Sequence, residues 1–448
     1  MRKPRSRPKT SLATPLRWVG LAVRALLGPP ARAVRGAARR RVADPAAQVV
    51  AYWASEQVTM RQGFVAVVIA SLTSLLAGLT LAGMDDRIDA IEGLFVLIPV
   101  SIGMRGNIFG GLAARLGTAI HAGLFEVSSE RTGTLYQNVY AATLLTIVTS
   151  VAMGLLARAI AALLGLDTVS ALDLVAIAIV GGVLSSAVVL AVTVYLSITA
   201  LHRGWDLDAV GAPLITAIGD VVTLPCLALA SLLVGIEIVT PVVATVAIIA
   251  AVGALVRGWT DPLLAARRIV RESFPVLCIA IVLDILAGTV VEPRIDDVFV
   301  PLPAFLIIMP GFLENTGALG GILAARLGSK LHLGAVTPTA RPEAAALLDG
   351  TIVLVLGITV YALTALSTLA VAEVFGQAYP GAARFVGVVL LGGLMATLVA
   401  GVIGYYAAIA AYRFGLDPDN HTIPLVTSGM DLLGVVCLVV ALVVFGVA

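Results

Sequence analysis

Eleven apolar stretches, each long enough to cross a lipid bilayer, leave this chain little choice of architecture. A helical span needs about 20 mostly apolar residues at about 1.5 Å of rise each. Such runs cover Gly63–Met84, Leu94–Phe125, Asn138–Leu164, Leu172–Leu201, Val210–Val234, Ile238–Val256, Ser273–Val291, Phe299–Leu331, Ala345–Phe375, Ala382–Tyr412 and Thr422–Val447. Of the 448 residues, 59% are hydrophobic and 12% charged, against about half and about a quarter in soluble domains. No soluble fold of this size hides so much apolar surface, so the expected class is an all-α polytopic membrane protein. An ordinary cytosolic enzyme and a secreted disulfide scaffold are excluded. Cys226, Cys278 and Cys437 all lie in apolar runs, are odd in number and form no CxxC, so they read as packing residues.

The charges set an orientation. Twelve of the 29 Lys and Arg lie between Arg2 and Arg41, ahead of the first acid, Asp44. Residues 1–58 therefore read as a basic cytoplasmic tail that meets lipid headgroups rather than nucleic acid. Within it, Leu16–Leu27 carries Arg17 and Arg24 on one helical face and reads as an interfacial helix. The connection Arg257–Glu272 carries Arg257, Arg267, Arg268 and Arg271, six crossings later, and is cytoplasmic by the same rule. The acidic connections at Asp85, Asp86 and Asp89 and at Glu292, Asp296 and Asp297 then face outward, as does the C-terminus. The cell membrane is the expected location.

The halves repeat. Pro99–Gly123 (PVSIGMRGNIFGGLAARLGTAIHAG) aligns without gaps on Pro310–Gly334 (PGFLENTGALGGILAARLGSKLHLG) at an offset of 211. Asp208–Asp220 (DAVGAPLITAIGD) aligns on Asp419–Asp431 (DNHTIPLVTSGMD) at the same offset, and Leu76–Gly78 on Leu286–Gly288 at 210. The predicted organisation is a five-span repeat over 59–236, a linking span over 237–262, and a second five-span repeat over 263–448. Five spans are odd, so the added span returns the second copy to the orientation of the first. Two parallel copies then share a pseudo-twofold axis along the membrane normal. This is a homodimer's geometry within one chain, for which a monomer suffices.

Asp220 and Asp431 are the sharpest chemical signal, since each lies about ten residues, or about 15 Å, inside an apolar span. A carboxylate there is costly unless it faces a cavity or a partner. Two at equivalent positions suit one divalent cation, and Mg²⁺ in particular is held by one or two carboxylates with several retained waters. Thr216 and Thr427, one turn away, are placed to orient its water shell, and Asn107 offers an oxygen. Pro213 and Pro424 precede the aspartates by two turns and free backbone carbonyls. Gly106/Gly110 and Gly317/Gly321 are GxxxG pairs expected to line or tightly pack the central helices. Arg105 and Glu314 form one candidate salt bridge across the axis, with no such pairing as the alternative. Asp284 (equivalent to Ser74) is a candidate for a coupling ion or for a local hydrogen bond only; His121 and His332, near the cytoplasmic ends of the long spans, read first as helix-end hydrogen-bonding residues and second as coupling candidates.

The run P-x(5)-RGN-x-x-G at Pro99–Gly110 and the doubled P-L-[IV]-T-x-x-x-D at Pro213–Asp220 and Pro424–Asp431 resemble the membrane domain of MgtE magnesium transporters. The fused form resembles the eukaryotic solute-carrier relatives of MgtE. The resemblance covers about residues 60–448. It implies five-helix domains around a central pore, Mg²⁺ or another divalent cation as the transported ion, no cofactor, and the fifth-helix Asp as cation ligand. Those roles carry to Asp220 and Asp431, and the glycine-rich span to Gly106, Asn107, Gly110 and Gly317. The second repeat departs with ENTG where the first has MRGN, and the first 58 residues are too few for the cytosolic N-domain and CBS pair of the bacterial proteins. A Na⁺- or H⁺-coupled Mg²⁺ exchanger is the alternative. An intramembrane aspartyl protease is a distant one, because its GxGD glycine is replaced here by Ala217.

Overall fold

The computed structural model describes residues 45–128, 130–203, 207–416 and 421–448. The basic tail up to residue 44, with its expected interfacial helix, lies outside the described residues. Among the described residues every regular element is helical. The helices are α1 (Pro45–Ser55), α2 (Gln57–Ala82), α3 (Asp85–Ala90), α4 (Leu94–Arg105), α5 (Gly111–His121), α6 (Thr134–Leu164), α7 (Ala171–Arg203), α8 (Leu207–Ser231), α9 (Val239–Thr260), α10 (Leu264–Val291), α11 (Ala304–His332), α12 (Ala344–Val374), α13 (Ala382–Phe414) and α14 (Ile423–Val444). Eleven segments in the described residues are long and apolar enough to cross a membrane, as the hydropathy reading expects. The described chain divides into two compact units that meet at Val65/Ala66, and the inter-repeat contacts described below involve residues of the second.

The two repeats use the same parts. Helices α4–α5, α6, α7 and α8 of the first correspond to α11, α12, α13 and α14 of the second. Gly123 and Gly334, equivalent at offset 211, both take left-handed φ (67° and 68°) just past the second span of their repeats. Glycine meets no steric penalty there and ends the helix. Pro99 and Pro310 also match, one inside each second span. The repeats differ at the middle of that span. In the first, five residues, Gly106–Gly110, form a π-helical turn between α4 and α5; α11 is continuous. π-Turns of this kind widen a helix locally and cluster at functional sites.

The repeats interlock through their first two spans. A methyl on Gly288 of α10 would lie 2.8 Å from the Val96 Cα of α4, so the two backbones touch. The equivalent Gly78 of α2 abuts the backbone of Ile307, the equivalent of Val96, on α11. Thus the first helix of each repeat packs on the second helix of the other. Glycine is required at both crossings because nothing with a Cβ fits against backbone. In lipid, such close approach supplies the packing that hydrophobicity cannot. The segments that meet there, Leu94–Val100 and Ala304–Phe312, are buried throughout.

Helix α9 has no counterpart and lies at the rim. It buries Ala244, Ala247 and Ala251 against Val151 of α6 and Val175, Ala176 and Ile179 of α7, and exposes Val242, Val246, Ile249, Val252 and Val256. Small residues on one face and β-branched apolar ones on the other suit a helix between protein and lipid. Its end is pinned: Arg257 Nε donates to Tyr140 Oη (2.7 Å), and Tyr140 donates to Asp261 Oδ2 (2.9 Å).

One boundary corrects the sequence reading. The arginine-rich stretch expected as a loop is helical: α10 starts at Leu264, before Arg267, Arg268 and Arg271. Gln137 Oε1 accepts from the backbone N–H of Ala265 and Ala266, satisfying donors at the new terminus, and Arg268 pairs with Glu272 one turn on (2.7 Å).

Candidate cation site

Four carboxylates gather inside the bundle, one from each of α8 (Asp220), α10 (Asp284), α11 (Glu314) and α14 (Asp431). Asp220 and Asp284 are 1% and 0% exposed. They form two groups. In the first, the Ser74 hydroxyl of α2 donates to Glu314 Oε2, and the Glu314 and Asp220 carboxyls come within hydrogen-bonding reach of each other. In the second, Asp284 lies beside Asp431 and the Ser428 hydroxyl, with its Oδ2 against Gly103, where a methyl would come within 2.5 Å. Asp220 is also within electrostatic reach of Asp431, so the two groups adjoin.

Two ionised carboxylates have no donor to offer each other. The oxygens of Asp220 and of Asp284 are buried and make no well-formed hydrogen bond, although the Ser74 and Ser428 hydroxyls lie close by. Leaving such groups in a membrane interior is expensive unless something positive lies between them. Among the described residues, no three His, Cys, Asp or Glu side chains converge as a direct chelate. The carboxylates are arranged in pairs, as suits a cation that keeps much of its water.

Around this centre the expected residues fall into place unequally. Asn107, in the π-turn, crosses to the second repeat: its Oδ1 accepts from Thr427 Oγ1 (3.1 Å) and its Nδ2 donates to Ser428 Oγ (3.3 Å). It thus ties the π-turn to α14 beside the second pair. Thr216 packs where a methyl on Gly106 would be 3.3 Å away, and Thr427 in the equivalent place 3.5 Å from one on Gly317. Close approach within each GxxxG pair is confined to this first glycine. A methyl on Gly110 or Gly321 would meet nothing within 4 Å, so tight packing is not their role. Pro424 stands in the first turn of α14, where a missing N–H costs nothing, and interrupts no helix. It lines, with Asn107, Arg115 and Ser273, a cavity of about 10 Å³, room for about one water. Pro213 lies within α8 and His121 ends α5; their side chains lie outside the described residues.

The other candidate residues lie as follows. Arg105 does not reach Glu314. It is buried between helices of its own repeat and donates to Gly182 O (2.7 Å) and to the Ser186 hydroxyl, in room left by the absent Gly182 side chain. His332 lies apart from the carboxylates, its Nδ1 2.8 Å from Gly328 O and its ring edge-on to Tyr412. Asp284, a coupling candidate in the sequence, joins the central cluster. Sequence reasoning also missed Glu314 as a site residue, with Ser74, Gly103 and Ser428. The available signal was the repeat alignment, which sets Glu314 opposite Gly103 and Asp284 opposite Ser74.

Such a fold and site define a class: a polytopic helical membrane protein, built from two fused repeats, with a buried acidic centre at their junction. The MgtE family, described as divalent cation transporters, matches the chain twice, at residues 98–230 and 309–441, two regions offset by 211 at both ends. The chain belongs to this family. It is 24% identical over 398 residues to solute carrier family 41 member 2 of Xenopus laevis, covering 80% of this chain and 66% of that protein. It is 24% identical over 308 residues to the Gallus gallus member 2 (65% and 52%) and 21% identical over 378 residues to member 3 of Rattus norvegicus (77% and 78%). The chain thus spans about half to two thirds of the length of the two member 2 relatives.

Proposed function

We propose that this divalent cation transporter carries Mg²⁺, partly hydrated, along the pseudo-twofold axis past Asp220 and Asp431. The observation that carries this reading is the pair of buried Asp220 oxygens that make no well-formed hydrogen bond, facing Glu314 and within reach of Asp431. Mg²⁺ gives up its inner waters reluctantly, so paired carboxylates around a hydrated ion fit it better than a closed cage of protein ligands. The groups gathered at the centre are carboxylates with hydroxyl and amide neighbours, the hard oxygen ligands that suit Mg²⁺. Thr216, Thr427 and Asn107 supply hydroxyl and amide oxygens for the ion's waters. Gly110 and Gly321, with open space beside them, fit helices that border the path.

The single chain forms the path, since both halves of the acidic centre come from its own repeats. The positive-inside rule orients it with the N-terminal tail and the arginines of α9–α10 on the cytoplasmic side of the cell membrane. The acidic connections on the outer side concentrate cations at the mouth. One specific observation favours a second reading, a Na⁺- or H⁺-coupled exchanger: Asp284 adjoins Asp431, giving the centre more negative charge than one Mg²⁺ neutralises.

Mg²⁺ flux into liposomes holding the purified chain, with Na⁺ and pH gradients imposed or abolished, tests both. Flux that follows the Mg²⁺ gradient and membrane potential alone is the expected result. Flux that requires a Na⁺ or H⁺ gradient would select the exchanger, and no Mg²⁺ flux under any gradient would refute the substrate.

A further inference from the structure

The repeats break their own symmetry at one place, and the break is compensated. Two positions flank each fifth-helix aspartate: one on a first helix (Ser74 or Asp284) and one on a second helix (Gly103 or Glu314). Around Asp220 the first-helix residue is small, Ser74, and the second-helix residue is Glu314. Around Asp431 the first-helix residue is Asp284 and the second-helix residue is Gly103. Each place thus has one acid and one small residue, with the acid supplied from opposite sides. The small partner makes the room: Gly103 leaves space for the Asp284 carboxyl, and Ser74 for Glu314. Both halves of the centre end with two carboxylates, and in each half one aspartate has both oxygens buried and without a well-formed hydrogen bond.

We propose that these are two separate divalent-cation sites, one between Asp220 and Glu314 and one between Asp431 and Asp284, so that one chain holds two cations at once. The inference rests on the transport reading above and deepens it. A single ion shared by Asp220 and Asp431 leaves Glu314 and Asp284 to be matched by protons or by a second cation. Two dications neutralise four carboxylates. The pairs are also not equivalent in their neutral ligands. The Asp431 site has Ser428, held by Asn107 in turn, while at the Asp220 site the Ser74 hydroxyl is engaged by Glu314. The two sites therefore differ in affinity. Adjacent occupied sites repel each other's ions, which lets a strongly bound ion leave.

Mn²⁺ serves as the probe, counted per chain by equilibrium dialysis and electron paramagnetic resonance on the purified chain in detergent, with Mg²⁺ as competitor. The expected count is two Mg²⁺-displaceable Mn²⁺ per chain, falling to one in Glu314→Gln and to one in Asp284→Asn. Ser74→Asp combined with Glu314→Gly rebuilds the first site in the form of the second and is expected to return the count to two. A wild-type count of one, in protein that carries Mg²⁺ flux, would overturn the two-site proposal and leave the transport reading standing. Two ions retained in both single variants would overturn it as well. Wild-type protein with neither Mn²⁺ binding nor divalent flux would overturn both.

Discussion

Adding one methyl group at Gly103 probes the acidic centre without touching a carboxylate. The new Cβ of Gly103→Ala would stand 2.5 Å from Asp284 Oδ2, where ordinary contact begins at 3.4 Å, so the carboxyl must withdraw by 0.9 Å. Because the obstructed atom is the end of a side chain, it withdraws by rotation, at about 0.5–1.5 kcal/mol for an off-rotamer torsion. The variant therefore folds. The ion feels the change more. At an effective dielectric of about 20, a dication about 4 Å from a carboxylate gains about 8 kcal/mol, and about 1.5 kcal/mol less at about 4.9 Å. That is about a tenfold loss of affinity. Mg²⁺ flux into liposomes, titrated over Mg²⁺ concentration, is expected to show about a tenfold higher half-saturation with unchanged protein recovery. Gly253→Ala, on the lipid-side linker helix where a methyl meets nothing within 4 Å, is the control and is expected to match wild type. An unchanged half-saturation in folded Gly103→Ala would refute the placement of Asp284 in the ion's path.

Three further outcomes arise from the packing. Gly288→Ala forces a methyl against the Val96 backbone, which cannot turn aside, so overpacking of about 1–3 kcal/mol or more should reduce the yield of monodisperse protein in size-exclusion chromatography. Asp349→Ala leaves Arg326 (2.8 Å) and Lys330 (2.6 Å) without their buried acid; both bases are partly exposed, so a loss of about 2–3 kcal/mol is expected, read as a lower thermal unfolding midpoint. Tyr140→Phe removes the hydroxyl that links Arg257 to Asp261 and should cost about 1 kcal/mol by the same assay, with flux unchanged.

The spans and the repeat were readable because lipid enforces long apolar helices and because the 211-residue offset is carried by motifs without gaps. The same alignment put Ser74 opposite Asp284 and Gly103 opposite Glu314. What it did not contain is that these two rows meet, which depends on each first helix packing on the other repeat's second helix. Gly78 and Gly288 mark those crossings, yet among 44 glycines in the chain nothing singles them out before the partners are known. The partner of Arg105 was not readable for a related reason. Opposite charges on aligned helices suggest a pair, but the pocket at Gly182 and Ser186, built by a helix about 80 residues away, holds its guanidinium. The start of α10 was hidden because Arg267, Arg268 and Arg271 read as a loop by hydropathy, whereas helical hydrogen bonding runs on into the polar region once Gln137 caps it. The π-turn at Gly106–Gly110 has no period of its own in sequence beyond two glycines and an asparagine.

Passage of a divalent cation between the fifth-helix aspartates of one chain is tested most directly by the double variant Asp220→Asn/Asp431→Asn. Its Mg²⁺ flux into liposomes is set against that of the wild type at matched protein content. Flux is expected in the wild type, with a fall to the protein-free level in the folded double variant. Wild-type flux in that variant would contradict a path between these two carboxylates.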